Sequence, residues 1–184
     1  MINNLKSERV ILREMEENDW KGVHKYASQE KVCQYQPWGP NSEQESEGFV
    51  KQVIKDAKKE PRSRFMFAVI DKESGEMIGA GEINIRDFSN RVGEIAYIVN
   101  PQYWGKGYAT DLAKLLIAYG FNDLKLHRIF ATCDPRNIGS SRVLEKVGLI
   151  KEGRMRENLL LKDGWRDSLL YSILEHEFFI DKNT

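Results

Sequence analysis

The chain has 184 residues, 41% of them apolar and 30% charged, and its 28 Lys+Arg balance 28 Asp+Glu. That length suits one domain with a substantial core, expected over residues 1–184 with its body from about 8 to 175. The zero net charge excludes a global electrostatic pull toward nucleic acid or an anionic membrane, so no nucleic-acid or membrane partner is expected.

The opening "MINNLKSERVILRE" lacks the apolar core of a signal peptide, and no window has the uninterrupted apolar length of a membrane span, so a soluble cytoplasmic protein is expected. Cys33 and Cys133 have no metal-ligand spacing with each other or with His24, His127 and His176. No metal is expected, and both cysteines read as free thiols of a reducing compartment.

In chain order, "RVILREM" alternates as a first strand and "ENDWKGVHKYAS" follows as a short helix opened by Asn18 or Asp19. The next helix starts on a capping box, Ser42 with Glu45 in "SEQE". It carries Phe49, Val50, Val53, Ile54 and Ala57 on one face and is closed by Pro61. Between these helices "YQPWGPN" forbids regular structure and presents Tyr35 and Trp38, as a binding lip or as core packing.

"RFMFAVID", "MIGAGEINIRD" and "RVGEIAYIVN" then read as an antiparallel meander. "GYATDLAKLLIAYGF" has Leu112, Leu115, Leu116 and Tyr119 at helical spacing. "HRIFATC" is a short buried strand, "SSRVLEKVG" a helix ended by Gly148, and residues 149–174 a hairpin turning at Asp163-Gly164. A meander running into a strand–helix–strand crossover predicts an α/β (α+β) fold. Its sheet is mixed, mostly antiparallel and twisted, with about seven strands and helices on both faces.

The segment "PQYWGKGYAT" places Gly105 and Gly107 between a strand and a helix. A helix N-terminus leaves backbone N–H groups without partners and adds partial positive charge, and glycine keeps Cβ atoms out of the way of a phosphate. Trp104, Gly105, Lys106, Gly107 and Tyr108 would offer consecutive donors to a pyrophosphate. The spacing excludes a nucleotide P-loop, which needs Gly-Lys-Ser/Thr, and a dinucleotide fingerprint, which needs a third glycine.

The pattern Gln102-x-x-Gly105-x-Gly107 resembles the acetyl-CoA signature of the GNAT superfamily of acetyltransferases. "NIGSSRVLEKVGLIKEG" matches that superfamily's second signature, and "GEIAYIVNPQYWGKGYAT" with "EGRMRENLLLKDGWRDSLLYSIL" is similar to its RimJ/RimL-type branch. The resemblance covers nearly the whole chain. It implies an acetyl-CoA cosubstrate, an amine acceptor that is a protein N-terminus or a small molecule, and a branch that includes homodimers. It also implies a slot between two splayed parallel strands in which the cofactor arm pairs with Ile98, Val99 and Asn100, opposite "FATC". On the same grounds Ala109 joins the phosphate loop and Asn137 reaches the cofactor arm. Arg142 and Lys106 either neutralise phosphate or are solvated cations.

Acetyl transfer needs a free amine, a polarised carbonyl and a proton for the departing thiolate. The backbone N–H of Val99 or its neighbour could polarise the carbonyl. Glu82 and Glu94, on strands facing the splay, are the candidate bases, or else ion-pair partners of Arg86 or Arg91. The tyrosine many GNAT enzymes use as acid corresponds here to Leu144, which donates no proton. Ser140 is the substitute, as acid, as cap of the following helix, or both. Cys133 reads as a packing thiol and not as a nucleophile. The acceptor is expected between "YQPWGPN" and "LLLKDGWRDS", which supply Trp38 and Trp165, with Glu43, Glu45 and Glu47 nearby as an acidic rim or a solvated helix face. The rival of another class is a non-catalytic acyl-CoA-binding sensor.

Overall fold

The computed structural model describes residues 5–180. Its elements, in chain order, are β1 (Leu5–Lys6), β2 (Val10–Glu14), α1 (Trp20–Ala27), α2 (Glu30–Cys33), α3 (Glu43–Asp56), β3 (Arg64–Asp71), β4 (Met77–Asp87), β5 (Val92–Val99), α4 (Tyr108–Asn122), β6 (Arg128–Cys133), α5 (Ile138–Lys146), β7 (Ile150–Leu161), β8 (Gly164–Leu174) and α6 (Glu175–Ile180). One sheet holds the eight strands in the order β1-β2-β3-β4-β5-β6-β8-β7. The strand beyond the expected seven is β1, two residues paired with Leu12 and Ile11. Every neighbouring pair is antiparallel except β5 and β6, the two strands joined through α4.

Local chemistry accounts for most boundaries. The Ser42 box forms as expected: the Glu45 N–H donates to Ser42 Oγ at 3.2 Å and the Ser42 N–H to the Glu45 carboxylate at 2.7 Å, so both orphan donors are satisfied. α3 stops at Asp56, before Pro61. The Asp56 carboxylate is drawn to Gln52, Lys59 and Arg64, which hold the chain as it leaves the helix. The hairpin turns one residue earlier than expected, because Leu161 pairs with Gly164 and leaves Lys162 and Asp163 at the corner.

Strand alternation divides the core in two. Along β3, Phe67 and Val69 face one side, Met66 and Ala68 the other. The first side is covered by α4 and α5, with Leu112, Leu116, Ile117 and Leu144 buried against Val10, Leu12, Ile83, Ile95, Ile129 and Ile173. The second carries α1 and α3, whose Val23, Tyr26, Val50 and Val53 pack on Met66, Ala68 and Ala80. That helical cover reaches β4, and beyond it Ala96 of the central strand β5 is exposed. An exposed alanine in the middle of a sheet marks an open groove.

No helix among the described residues is long and apolar enough to cross a membrane. At the far end of the sheet Arg128 binds Glu152 through both guanidinium nitrogens, at 2.6 and 2.8 Å, and Ser172 Oγ donates to the same carboxylate at 2.5 Å. Arg128 first, then Ser172, pushes the Glu152 carboxyl down to about 2.

Two predictions follow from packing and charge. Leu116→Ala deletes a fully buried side chain and should cost about 2–5 kcal/mol in urea denaturation. The Glu152 pKa is lowered in the folded state, so its contribution is present above the ordinary glutamate pKa and lost as pH falls toward 2. The melting-temperature gap between wild type and Arg128→Gln should therefore be widest near neutrality and close as pH is lowered from 5 to 2.

Candidate active site

The site begins where β5 and β6 part. Their parallel pairing runs only from Val92 with Arg128 to Glu94 with Phe130, although β5 continues to Val99 and β6 to Cys133. Beyond Glu94 the two strands diverge. On its other edge β5 stays paired with β4 as far as Val99, and the Asn100 N–H donates to the Ile78 carbonyl at 2.8 Å.

Alternation then decides which backbone groups face the gap. The main-chain groups of even-numbered residues 94 to 100 turn to β4, and those of Tyr97 and Val99 turn to β6. This corrects the expectation that Ile98 and Asn100 pair with a ligand arm, since their backbone is engaged with β4. The main chain of Val99, like that of Tyr97, is turned to the gap. The indole Nε1 of Trp104 donates to the Val99 carbonyl at 2.6 Å. A strand-like ligand would therefore meet Tyr97 and the Val99 N–H directly, and the Val99 carbonyl only by displacing that indole.

The glycine turn sits at the open end of the fork. Asn100 Oδ1 accepts from the N–H of Gln102, whose side chain is exposed. Gly105 and Gly107 have φ of +74° and +86°. Both lie in the left-handed region that L side chains rarely adopt, so access for a phosphate is only one of two reasons for glycine here. Gly107 is the residue that caps α4 and brings no side chain to do so. Its carbonyl takes the N–H of Thr110 and Asp111, which leaves the amides of Tyr108 and Ala109 without an acceptor inside the helix. The Tyr108 hydroxyl donates to Asp71 at 2.9 Å, pinning the start of α4 to the β3–β4 turn. Lys106 is exposed, with Nζ 5.4 Å from the Tyr103 ring centre, and Arg142 is exposed on α5.

On the first side of the fork, the Asn137 side chain caps α5 by accepting the Ser140 N–H at 3.1 Å. Ser140 is therefore not the cap, which corrects that alternative, and its hydroxyl is left for other work. It lies 3.4 Å from the Tyr97 hydroxyl, which also donates to the Ser140 carbonyl at 3.5 Å. Burial pushes the Tyr97 phenol well above the usual tyrosine range, so it stays protonated. Sequence reasoning passed over Tyr97. The signal was its parity with Val99, two residues away on the same edge. Leu144 is buried in the core. Cys133 is buried beside Ser141, its Sγ 3.4 Å from Ser141 Oγ, and burial raises its thiol pKa, which fits the packing role.

On the second, open side stand the two carboxylates. Glu82 lies opposite Ala96, and Glu94 lies where β5–β6 pairing ends. Both are in ion pairs: Glu82 with Arg64 Nε at 2.9 Å, Glu94 with Arg86 at 2.7 Å from Nε and 2.5 Å from Nη2. Arg86 or Arg91 is the expected partner of either glutamate; Arg86 takes Glu94, Arg64 of β3 takes Glu82, and Arg91 pairs with Glu175 instead.

The expected rim segments do meet. Lys162 Nζ donates to the Gly39 carbonyl, and the Tyr35 hydroxyl to the Arg136 carbonyl at 3.5 Å. Trp165 is 57% exposed, while Trp38 packs partly buried against the α1–α3 cluster. Of the nearby glutamates, Glu45 serves the helix cap and Glu47 pairs with Lys51 at 2.6 Å.

A family model described as an acetyltransferase (GNAT) domain matches residues 9–150. The chain belongs to the GNAT acetyltransferase superfamily. It is 34% identical to the uncharacterized N-acetyltransferase YnaD of Bacillus subtilis over 95% of this chain and 99% of that one. It is 29% identical to the spermidine N(1)-acetyltransferase of Escherichia coli K12 over 95% and 91%. A crystal structure of a GNAT-family acetyltransferase from Bacillus anthracis superposes with a TM-score of 0.83 at 34% identity, covering 95% and 99% of the two chains. The mixed sheet with helices on both faces is thus the GNAT fold, and the chain is an acyltransferase of the N-acetyltransferase type that uses acetyl-CoA. Among the described residues no group of three His, Cys, Asp or Glu side chains is placed to hold a metal ion.

Gly107→Ala forces a side chain into a φ of +86° and sets its Cβ 2.9 Å from an Arg9 nitrogen. The substitution should cost about 1–2 kcal/mol of stability and weaken coenzyme A binding, read by denaturation and calorimetry; unchanged affinity would detach the turn from the cofactor.

Proposed function

We propose that the protein transfers acetyl from acetyl-CoA directly to a primary amine in a ternary complex, most aptly the N-terminal amine of a protein or peptide. The observation that carries this reading is the fork: a central strand with main chain turned into a gap, next to a helix start whose first amides have no acceptor inside the helix. In this reading the diphosphate lies on the amides of residues 105–109, with Lys106 and Arg142 as nearby cations, and the pantetheine arm runs along Tyr97 and Val99, with Asn137 at its far wall.

The amine enters across the open face by Ala96. Glu82 or Glu94 takes its proton, directly or through water. Each stands in an ion pair with an arginine that fixes where its carboxylate lies. The amine nitrogen attacks the thioester carbon while a β5 N–H polarises the carbonyl, and the C–S bond breaks as the amide forms. The extra proton on the attacking nitrogen passes through the Ser140 hydroxyl to the departing sulfur, so that the serine ends neutral, and Tyr97 orients that hydroxyl. Because the phenol stays protonated, it can act as a steady hydrogen-bond donor.

A peptide acceptor is supported by the likeness of "GEIAYIVNPQYWGKGYAT" to RimJ/RimL-type enzymes and by the open, aromatic-edged groove. A polyamine acceptor is the second reading, favoured by full-length similarity to a spermidine N(1)-acetyltransferase and by the two glutamates at the groove.

Thiol release from acetyl-CoA with N-terminal peptides, spermidine and an aminoglycoside separates these. Turnover with peptides above the others is expected; coenzyme A binding without turnover on any amine would leave only a sensor. Ser140→Ala and Tyr97→Phe should each lower kcat about tenfold or more with little change in the KM for acetyl-CoA. Equal losses in stability and activity would mark them as packing residues.

A further inference from the structure

We infer that Arg9 is a positioning residue that holds the glycine turn in its anion-binding form before the cofactor arrives; this rests on the acetyl-CoA reading of that turn. Arg9 lies in the turn before β2, about a hundred residues from the loop in sequence, and its backbone is fixed there. Its N–H donates to Ser7 Oγ at 3.2 Å and its carbonyl accepts from the Lys72 N–H at 2.9 Å.

Its guanidinium spans the loop. Nε and Nη2 reach the Asp111 carboxylate at 2.9 and 2.7 Å, Nη1 donates to the Lys106 carbonyl at 2.6 Å, and the group lies 5.0 Å from the centre of the Tyr108 ring. The same guanidinium abuts Gly107, where a Cβ would stand 2.9 Å from Nη2. One side chain thus ties the middle of a turn that contains two left-handed glycines and no side-chain cap to the first turn of α4.

A turn of that composition has little to define it locally, because glycine is at ease in many conformations. An unclamped loop that adopts the binding geometry a tenth of the time binds about tenfold more weakly. The planar fork is what allows carboxylate and carbonyl to be held together, and a lysine ammonium cannot bridge both with the same geometry.

The test compares two acetyl donors, acetyl-CoA and S-acetylpantetheine, which lacks the diphosphate. Arg9→Ala should raise the KM for acetyl-CoA, and the calorimetric Kd for coenzyme A, about tenfold. Its kcat and its KM for S-acetylpantetheine should stay at wild-type values. Arg9→Lys should recover only part of the loss. Unchanged coenzyme A affinity in Arg9→Ala, or an equal loss for both donors, overturns the clamp. Should Arg9→Ala fail to fold, Asp111→Asn loosens the same contact and must show the same split between donors. Wild-type protein that binds no coenzyme A would instead sink the reading of the turn itself.

Discussion

The structure turns on a pairing that is broken off. In a closed sheet every strand inside it spends its backbone groups on two neighbours, and leaving donors and acceptors unpaired is costly. Here β5 has two neighbours along its first half and one along its second. The gap is held open from both sides. β4 keeps β5 straight to Val99, and β8 pairs with β6 along its whole length, from Arg128 to Cys133. Each strand is anchored on its far edge, so the divergence is built into the sheet, and its polar groups point where a third strand-like body would lie.

The arginines around this fork tie separate elements together. Arg64 links Asp56 at the end of α3 to Glu82 on the open face, and Arg86 holds Glu94. Arg9 ties the chain before β2 to the start of α4. Each pair is partly exposed, so none is a large source of stability by itself. Their effect is geometric: carboxylates, and the Lys106 carbonyl of the turn, are tied to neighbouring elements around the point where the strands part.

Much of this was legible beforehand. Alternation and caps located nearly every element, and the Gly105/Gly107 spacing announced the turn. Backbone direction was harder to read. Periodicity shows which side chains share a face, but whether a residue's N–H turns to one neighbour or the other depends on register. That is why Tyr97 was missed and Ile98 was given a main-chain role it does not have. Contacts across about a hundred residues, such as Arg9 to Asp111, leave no local pattern at all. Ser140 is a cap only if the helix begins at "SRVLEK"; the helix begins earlier, at Ile138, and Asn137 caps it.

The bare methyl of residue 96 has a meaning for selectivity. It stands uncovered on a middle strand, flanked by the Glu82 carboxylate directly across and the Glu94 carboxylate two residues back. The smallest chiral side chain therefore forms the floor of the approach to the fork. In the proposed ternary complex, floor height at this one position would limit the bulk of an incoming nitrogen's substituents, independently of the gap between β5 and β6.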